Sequence, residues 1–320
     1  MAEQRVADLA PGSPVAGRFL VVRKELRQGG RAGLFLDCTL CDATGRVSAK
    51  VWDRAAELNE QFQQGDVVAV RGLAETYRGE LQLRLEAVRL VPAESVDRSQ
   101  FLPRSTKDPA LLRRQLTDVT ASLENPQLRQ LVTAVFSDPE LDAHFFTAPG
   151  AKSLHHAYIG GLAEHTCEVV ELCLCVAQVF PQLDRDLLLA AAILHDLGKL
   201  DELSWDTAFD YTDQGLLLGH IVMGEARVRR AMEAIPEFPE DLKLRLSHML
   251  LSHHGTKEYG SPVEPMTAEA IALHHAEDLD AKVNLFLGNI NHARDQGRRW
   301  TERHFLLNRS FYVGPGDEEA

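Results

Sequence analysis

The chain holds 13 histidines, and none lies before His144. Most fall in short groups: His155–His156, His165, His195–Asp196, His220, His248, His253–His254 and His274–His275. Surface histidines scattered at random would not confine themselves to one part of a chain. Imidazoles and carboxylates grouped in this way can hold divalent cations, and imidazole-rich, carboxylate-poor sets favour Mn, Fe, Co, Ni or Zn over Mg or Ca. The sharpest signal is IleLeuHisAspLeuGlyLys at 193–199, which ends the almost wholly apolar segment DLLLAAAIL. His195 and Asp196 therefore stand at the edge of a buried surface, where a carboxylate is costly unless a cation or strong donors meet it. Neighbouring helix positions lie about 100° apart, so the two side chains can reach one ion from adjacent directions, or the carboxylate can bridge two. Lys199 shares the face of His195, where an ammonium can meet a phosphate oxygen.

Other residues carry weaker signals. Cys38-x-x-Cys41 has zinc-like spacing, but no second CxxC or histidine pair lies nearby. On a strand its two side chains point to opposite faces, so metal binding is not expected there. Trp52, Phe35 and Tyr77 are candidate stacking platforms for bases, and Arg71, Arg78 and Arg84 candidate phosphate contacts. The competing role for strand aromatics is to fill a small core. Gly160–Gly161 follows no strand and has no GxGxxG pattern; it suits close helix packing or a turn into the segment bearing His165. His248 reads as a packed or exposed histidine. On a regular helix His155 and His156 cannot both face one cleft, and His156 is the expected one.

Two hydrophobic periods must position these residues. From Val15 to Val91, short apolar–polar alternations are broken by turn signals. GRFLVVRKEL, GLFLDCTLCD, RVSAKVWD, DVVAVRGLAE and LQLRLEAVRLV read as five strands, with room for a short helix at Arg54–Gln63. That order predicts an OB barrel over residues 1–95, whose closure removes open sheet edges. Residues 96–108 are polar, contain a proline and lack periodicity, as a linker would. From Pro109 the spacing becomes 3.6 residues and predicts helices over 109–123, 126–136, 138–145, 159–179, 184–197, 219–234, 239–253 and 267–292. Pro126 after Asn125 and Pro139 after Asp138 fit helix starts. The expected fold class is multidomain: an all-β barrel, an all-α domain over 109–310, and an acidic tail over 311–320.

Composition narrows the class further. Apolar residues make up 45%, charged residues 25%, and mean hydropathy is −0.18, which are globular values that exclude long disorder or a fibrous repeat. The longest purely apolar run, Leu187–Leu194, is too short for a membrane helix. The opening MAEQRVADLAPG lacks the layout of a signal peptide, and five irregularly spaced cysteines fit a reducing compartment, so a cytoplasmic protein is expected. Net charge is −13, yet residues 1–98 hold 14 basic and 14 acidic residues, leaving the later part with the whole excess. A neutral, arginine-rich module can still bind polyanions, because screening confines charge effects to about 10 Å. Bound cations would let the acidic part accept a phosphate substrate.

HisAsp within HDLGK, preceded by a helix with His165 and followed by further histidines and a late acidic residue, resembles the HD-domain metal-dependent phosphohydrolases. AKSLHHAYIGGLAEHT at 151–166, SHHG at 252–255, YGSP at 259–262 and EDLDAK at 277–282 resemble the YhaM-type 3′–5′ exoribonucleases, which join an OB domain to an HD domain. The resemblance covers about residues 14–310. It implies that His165, His195 and Asp196 hold one divalent transition-metal ion, and that His220, His253 and His254 extend the site to a second. The closing ligand departs from the superfamily pattern: Glu277 stands where an aspartate is usual. Glu277 is taken as the ligand, with Asp280, which shares its helix face, as the competitor. Lys199 and His156 would neutralise phosphate oxygens beside Asp196, and His274 and His275 would support the ligands from behind. The implied reaction is metal-assisted hydrolysis of single-stranded RNA, or short DNA, from the 3′ end, with the barrel feeding the strand and homo-oligomerisation left open. The alternative is an HD-domain nucleotide or cyclic-dinucleotide phosphohydrolase with a regulatory OB domain. HisHisGly followed by TyrGlySerPro lacks the GlyTyrPro of the cyclic di-GMP hydrolases.

Overall fold

Alternating apolar and polar residues fold the N-terminal part into β1 (Pro14–Gly29), β2 (Gly33–Asp42), β3 (Gly45–Val51), β4 (Val67–Tyr77) and β5 (Glu80–Leu90), with α1 (Ala55–Asn59) between β3 and β4. A computed structural model describes residues 4–315 except 30–32, 78–79, 97, 153–155, 206–208 and 305–306. The strands close into a barrel in the order β1-β2-β3-β5-β4, antiparallel except for the β3–β5 pair. This is the predicted OB topology. Phe19, Leu36, Leu40 and Leu83 fill the interior, and Leu58 of α1 joins them with Phe62 just beyond it. The long β1 pairs with both β2 and β4, and a register shift between Val21 and Arg23 bends it from one partner toward the other. Cys38 sits in this core, whereas Cys41, also buried, turns its Sγ to Phe101 O at 3.4 Å.

The chain divides into two compact units, Met1–Arg104 with Ser204–Asp210, and Ser105–Leu203 with Tyr211–Ala320. The division falls inside the segment read from the sequence as a linker. Leu102 is buried in the first unit, while Ser105 N donates to Ile159 O at 2.9 Å in the second.

The second unit consists of α2 (Pro109–Ala121), α3 (Pro126–Phe136), α4 (Pro139–Phe145), α5 (Gly161–Val179), α6 (Arg185–Leu194), α7 (Lys199–Glu202), α8 (Asp213–Leu218), α9 (His220–Glu233), α10 (Glu240–Ser252) and α11 (Ala268–Asp295). Asp108, Asn125 and Asp138 cap α2, α3 and α4 through side-chain oxygens, each with proline in the first turn. α6 explains the apolar run: α2, α3, α5, α10 and α11 all pack on it, and Leu187–Leu194 are buried on every side. Each buried leucine there stabilises the fold by about 1.5–3 kcal/mol relative to exposure. This helix is the rigid spine behind His195 and Asp196. The short α7 and α8 were not predicted, since one or two turns leave no periodic trace. Residues 311–313, read as the start of the tail, are packed instead: Phe311 is buried and stacks on Phe286 at 3.8 Å.

Candidate metal centre

α6 and α10 end at His195 and His253, which occupy their C-cap positions. Each ring donates from Nδ1 to the carbonyl three residues back, Ala192 O at 2.8 Å and Leu250 O at 2.7 Å, so it satisfies an oxygen that a helix end leaves unpaired. His254 Nδ1 donates to Tyr259 O at 2.8 Å. His165, in the second turn of α5, donates from Nδ1 to Asp280 Oδ2 at 2.6 Å, and His220, which opens α9, donates to Glu202 Oε1 at 2.9 Å. Carbonyls and carboxylates only accept, so all these rings carry their proton on Nδ1 and keep a bare lone pair on Nε2.

Those lone pairs converge on Asp196. Its Oδ2 lies 3.3 Å from His195 Nε2, 3.4 Å from His165 Nε2 and 2.6 Å from Lys199 Nζ. Its Oδ1 lies 3.6 Å from His220 Nε2 and 3.7 Å from His253 Nε2. The Lys199 contact neutralises charge but lacks hydrogen-bond geometry. Both Asp196 oxygens, His220 Nε2 and His253 Nε2 are buried without a hydrogen-bond partner. His165 Nε2 and His195 Nε2 face each other at 3.3 Å, lone pair against lone pair. Buried acceptors in this state are expensive, and a cation placed among them removes the cost. Ligand atoms within 4.8 Å of one another form two sets that share Asp196: His165, His195 and Asp196, and Asp196, His220, His253 and His254. The donors thus fit divalent cations, with Asp196 common to both sets.

Electrostatics agree. Burial disfavours charge on Asp196, but the Lys199 ammonium beside it outweighs this and holds the carboxyl well below its usual range. Burial likewise opposes the Lys199 ammonium, and Asp196 keeps it charged. Burial pushes His253 down to about 4 and His254 to about 2, so both rings are neutral at physiological pH, the state in which an imidazole can accept a cation.

On the barrel, strand register lines up Glu25, Asp37, Lys50 and Arg84 across β1, β2, β3 and β5. Arg23, Arg27 and Lys50 all pair with Asp37. Beside them Trp52 stacks on Phe35 with centroids 4.6 Å apart, and 39% of Trp52 remains exposed. Basic side chains next to an open aromatic face suit a single strand.

Residues 162–282 match the HD domain family, and residues 15–91 match an OB-fold nucleic-acid-binding domain family. The chain is 36% identical over 295 residues to a 3′-5′ exoribonuclease YhaM from Geobacillus sp. (strain WCH70), covering 91% of this chain and 88% of that one. The chain belongs to the YhaM family. Solved structures of a replication protein A OB-fold domain from Methanococcus maripaludis (18% identity, TM-score 0.24, 28% of this chain and 93% of that one) and of the p204 HINb domain (21% identity, TM-score 0.24, 28% and 47%) are also similar.

In this YhaM-family chain His165, His195, Asp196, His220, His253, His254 and Lys199 lie together, as described. Glu277 is half-buried on α11 and belongs to none of the donor sets found among the described residues. Burial and then repulsion from Asp196 push it up to about 7, which places it in the field of the centre. Asp280 lies behind His165: its Oδ2 accepts from His165 Nδ1 and from His156 Nε2 at 3.1 Å, and its Oδ1 accepts from Asn284 at 3.0 Å. His156 departs from the expectation that it faces phosphate. Both its ring nitrogens are engaged internally, with Tyr158 and Asp280, and although burial opposes charge, Asp280 and Glu168 raise it to about 9. His155 and Arg78 lie outside the described residues. Tyr77 and Arg71 are exposed on β4, and Arg71 falls between Ala16 and Ala87, away from the Lys50–Arg84 row. His274 supports the site by donating to His253 O at 2.9 Å, whereas His275 is exposed. Glu202, Arg23, Arg27 and Lys50 were missed; only strand register, which needs the pairing, brings the last three together.

Proposed function

We propose that this chain is a metal-dependent 3′–5′ exoribonuclease acting on single-stranded RNA, with the barrel (1–95) binding the strand and the helical domain (109–310) cleaving it. One observation carries the reading: a buried aspartate whose two oxygens have no hydrogen-bond partner, ringed by imidazoles whose tautomers are all fixed for metal ligation. Ions held there, from the set Mn, Fe, Co, Ni and Zn, supply charge to the attacking and leaving oxygens of the phosphodiester and lower the pKa of a water.

The protein's own residues do the positioning. His165, His195 and Asp196 Oδ2 would hold one ion and His220, His253, His254 and Asp196 Oδ1 the other, with Glu277 closing the site. Lys199 places an ammonium against Asp196, from which a phosphate oxygen can draw it. His156, kept cationic behind Asp280, offsets that carboxylate rather than a phosphate of the substrate. Trp52, Tyr77 and the basic row with Arg84, together with Arg71 and Arg78, provide sequence-tolerant affinity. No described helix is long and apolar enough to cross a membrane, and a cytoplasmic enzyme fits the reading.

The test is incubation of purified protein with 5′-labelled single-stranded RNA and Mn²⁺. A ladder shortened from the 3′ end, abolished by Asp196→Ala, is expected. Intact RNA alongside rapid nucleotide hydrolysis would overturn the proposal.

A further inference from the structure

His220 is tethered differently from the other rings of its donor set. His253 and His254 are fixed by main-chain carbonyls, whereas His220 relies on a side chain, Glu202. One oxygen, Glu202 Oε1, accepts both from His220 Nδ1 at 2.9 Å and from His220 N at 3.0 Å. That backbone N–H opens α9 and has no partner within the helix, so a single oxygen registers the ring and the main chain of the residue together. Glu202 is only 8% exposed, so the two donors of His220 meet its carboxylate away from solvent.

The surroundings clamp this pair. A Cβ on Gly215 would lie 2.3 Å from Glu202 O and 2.9 Å from its Cγ, and one on Gly198 would lie 1.9 Å from His220 O. Two close backbone approaches therefore lock α8 against α7 and the start of α7 against the start of α9. The donor set with His220 contains a single carboxylate, Asp196, already shared with the other set. An anionic acceptor on Nδ1 makes the facing Nε2 a better donor, which this set needs more than its neighbour does.

We propose that Glu202 is the positioning residue for His220: its carboxylate holds the ring with Nε2 toward Asp196 Oδ1 and so builds the second cation position, without touching ion or substrate. The inference rests on the metal reading above. It is tested with metal-stripped full-length protein by Mn²⁺ calorimetry, with free Mn²⁺ followed independently by electron paramagnetic resonance. Wild type is expected to take up two ions. Glu202→Ala should weaken the second by about 10–100-fold and leave the first within about threefold. Glu202→Gln, which retains an accepting oxygen without the charge, should fall between. Unchanged affinities in both variants, or equal loss at both positions as a purely structural role would give, overturns the assignment. If Glu202→Ala does not fold, Glu202→Gln decides on the same criterion. Wild type binding a single ion overturns this inference alone, and wild type binding none overturns the metal reading as well.

Discussion

Asp280→Asn is the perturbation that best separates a supporting carboxylate from a ligand. The substitution keeps shape but removes charge from the acceptor that His165 and His156 share. If the new amide turns its oxygen to the histidines, its NH2 meets the Asn284 amide nitrogen that now donates to Asp280 Oδ1 at 3.0 Å. Asn284 cannot flip to accommodate it without losing its bonds to Glu168 at 2.9 Å and to Asp280 O at 3.1 Å. The lesion is therefore not absorbed locally. Exchanging a charge-assisted hydrogen bond for a neutral one costs roughly 1–2 kcal/mol, and losing an acceptor of this kind weakens metal binding by about 10–100-fold. Calorimetric titration of metal-stripped protein should register that loss for one ion only. Turnover at saturating metal should stay within about tenfold of wild type, because the ligand atoms remain. Unchanged affinity would refute the tethering role. Turnover abolished at any metal concentration, as for Asp196→Ala, would show that Asp280 is itself a ligand.

Two further outcomes are expected. Trp52→Ala removes the open face of the Phe35–Trp52 stack and should weaken binding of single-stranded RNA by about 1–3 kcal/mol per stacked base, measured by fluorescence anisotropy, with metal stoichiometry unchanged; equal affinity would place the strand elsewhere. Burial in the barrel pushes Cys38 up to about 11 and Cys41 to about 12, while thiols of an unfolded chain ionise near 8.5. Above that pH the unfolded chain loses protons that the folded one retains, so stability falls as pH rises from about 8.5 toward 11 and is untouched by these groups below it. The urea midpoint should drop over that range, and the drop should shrink in Cys38→Ala/Cys41→Ala; an equal drop in both proteins refutes the assignment.

Much of this molecule is legible in its sequence because the periods differ so sharply. Alternation fixes the barrel strands, and Pro126 after Asn125 and Pro139 after Asp138 fix two helix starts to within a residue. His195 and Asp196 are marked by the apolar helix that they terminate, since little else accounts for a carboxylate at that depth. What stays hidden depends on packing. Nothing in the spacing tells Glu277 from Asp280, because both lie on one face of α11 and only the position of α5 decides which meets His165. Glu202 reads as an ordinary helix-end acid until α9 is laid beside it. His156 escapes for another reason: its backbone takes a positive φ of 52°, so helical facing arguments do not apply.

The way the five rings are tethered bears on how such a centre can drift over generations. Three of them lean on main-chain carbonyls, which any residue supplies, so no replacement at the accepting position can loosen them. The remaining two lean on acids, Asp280 and Glu202, one in each half of the centre. On the proposed metal reading, a single codon change at either acid would therefore alter one half of the centre while sparing every residue proposed to hold an ion.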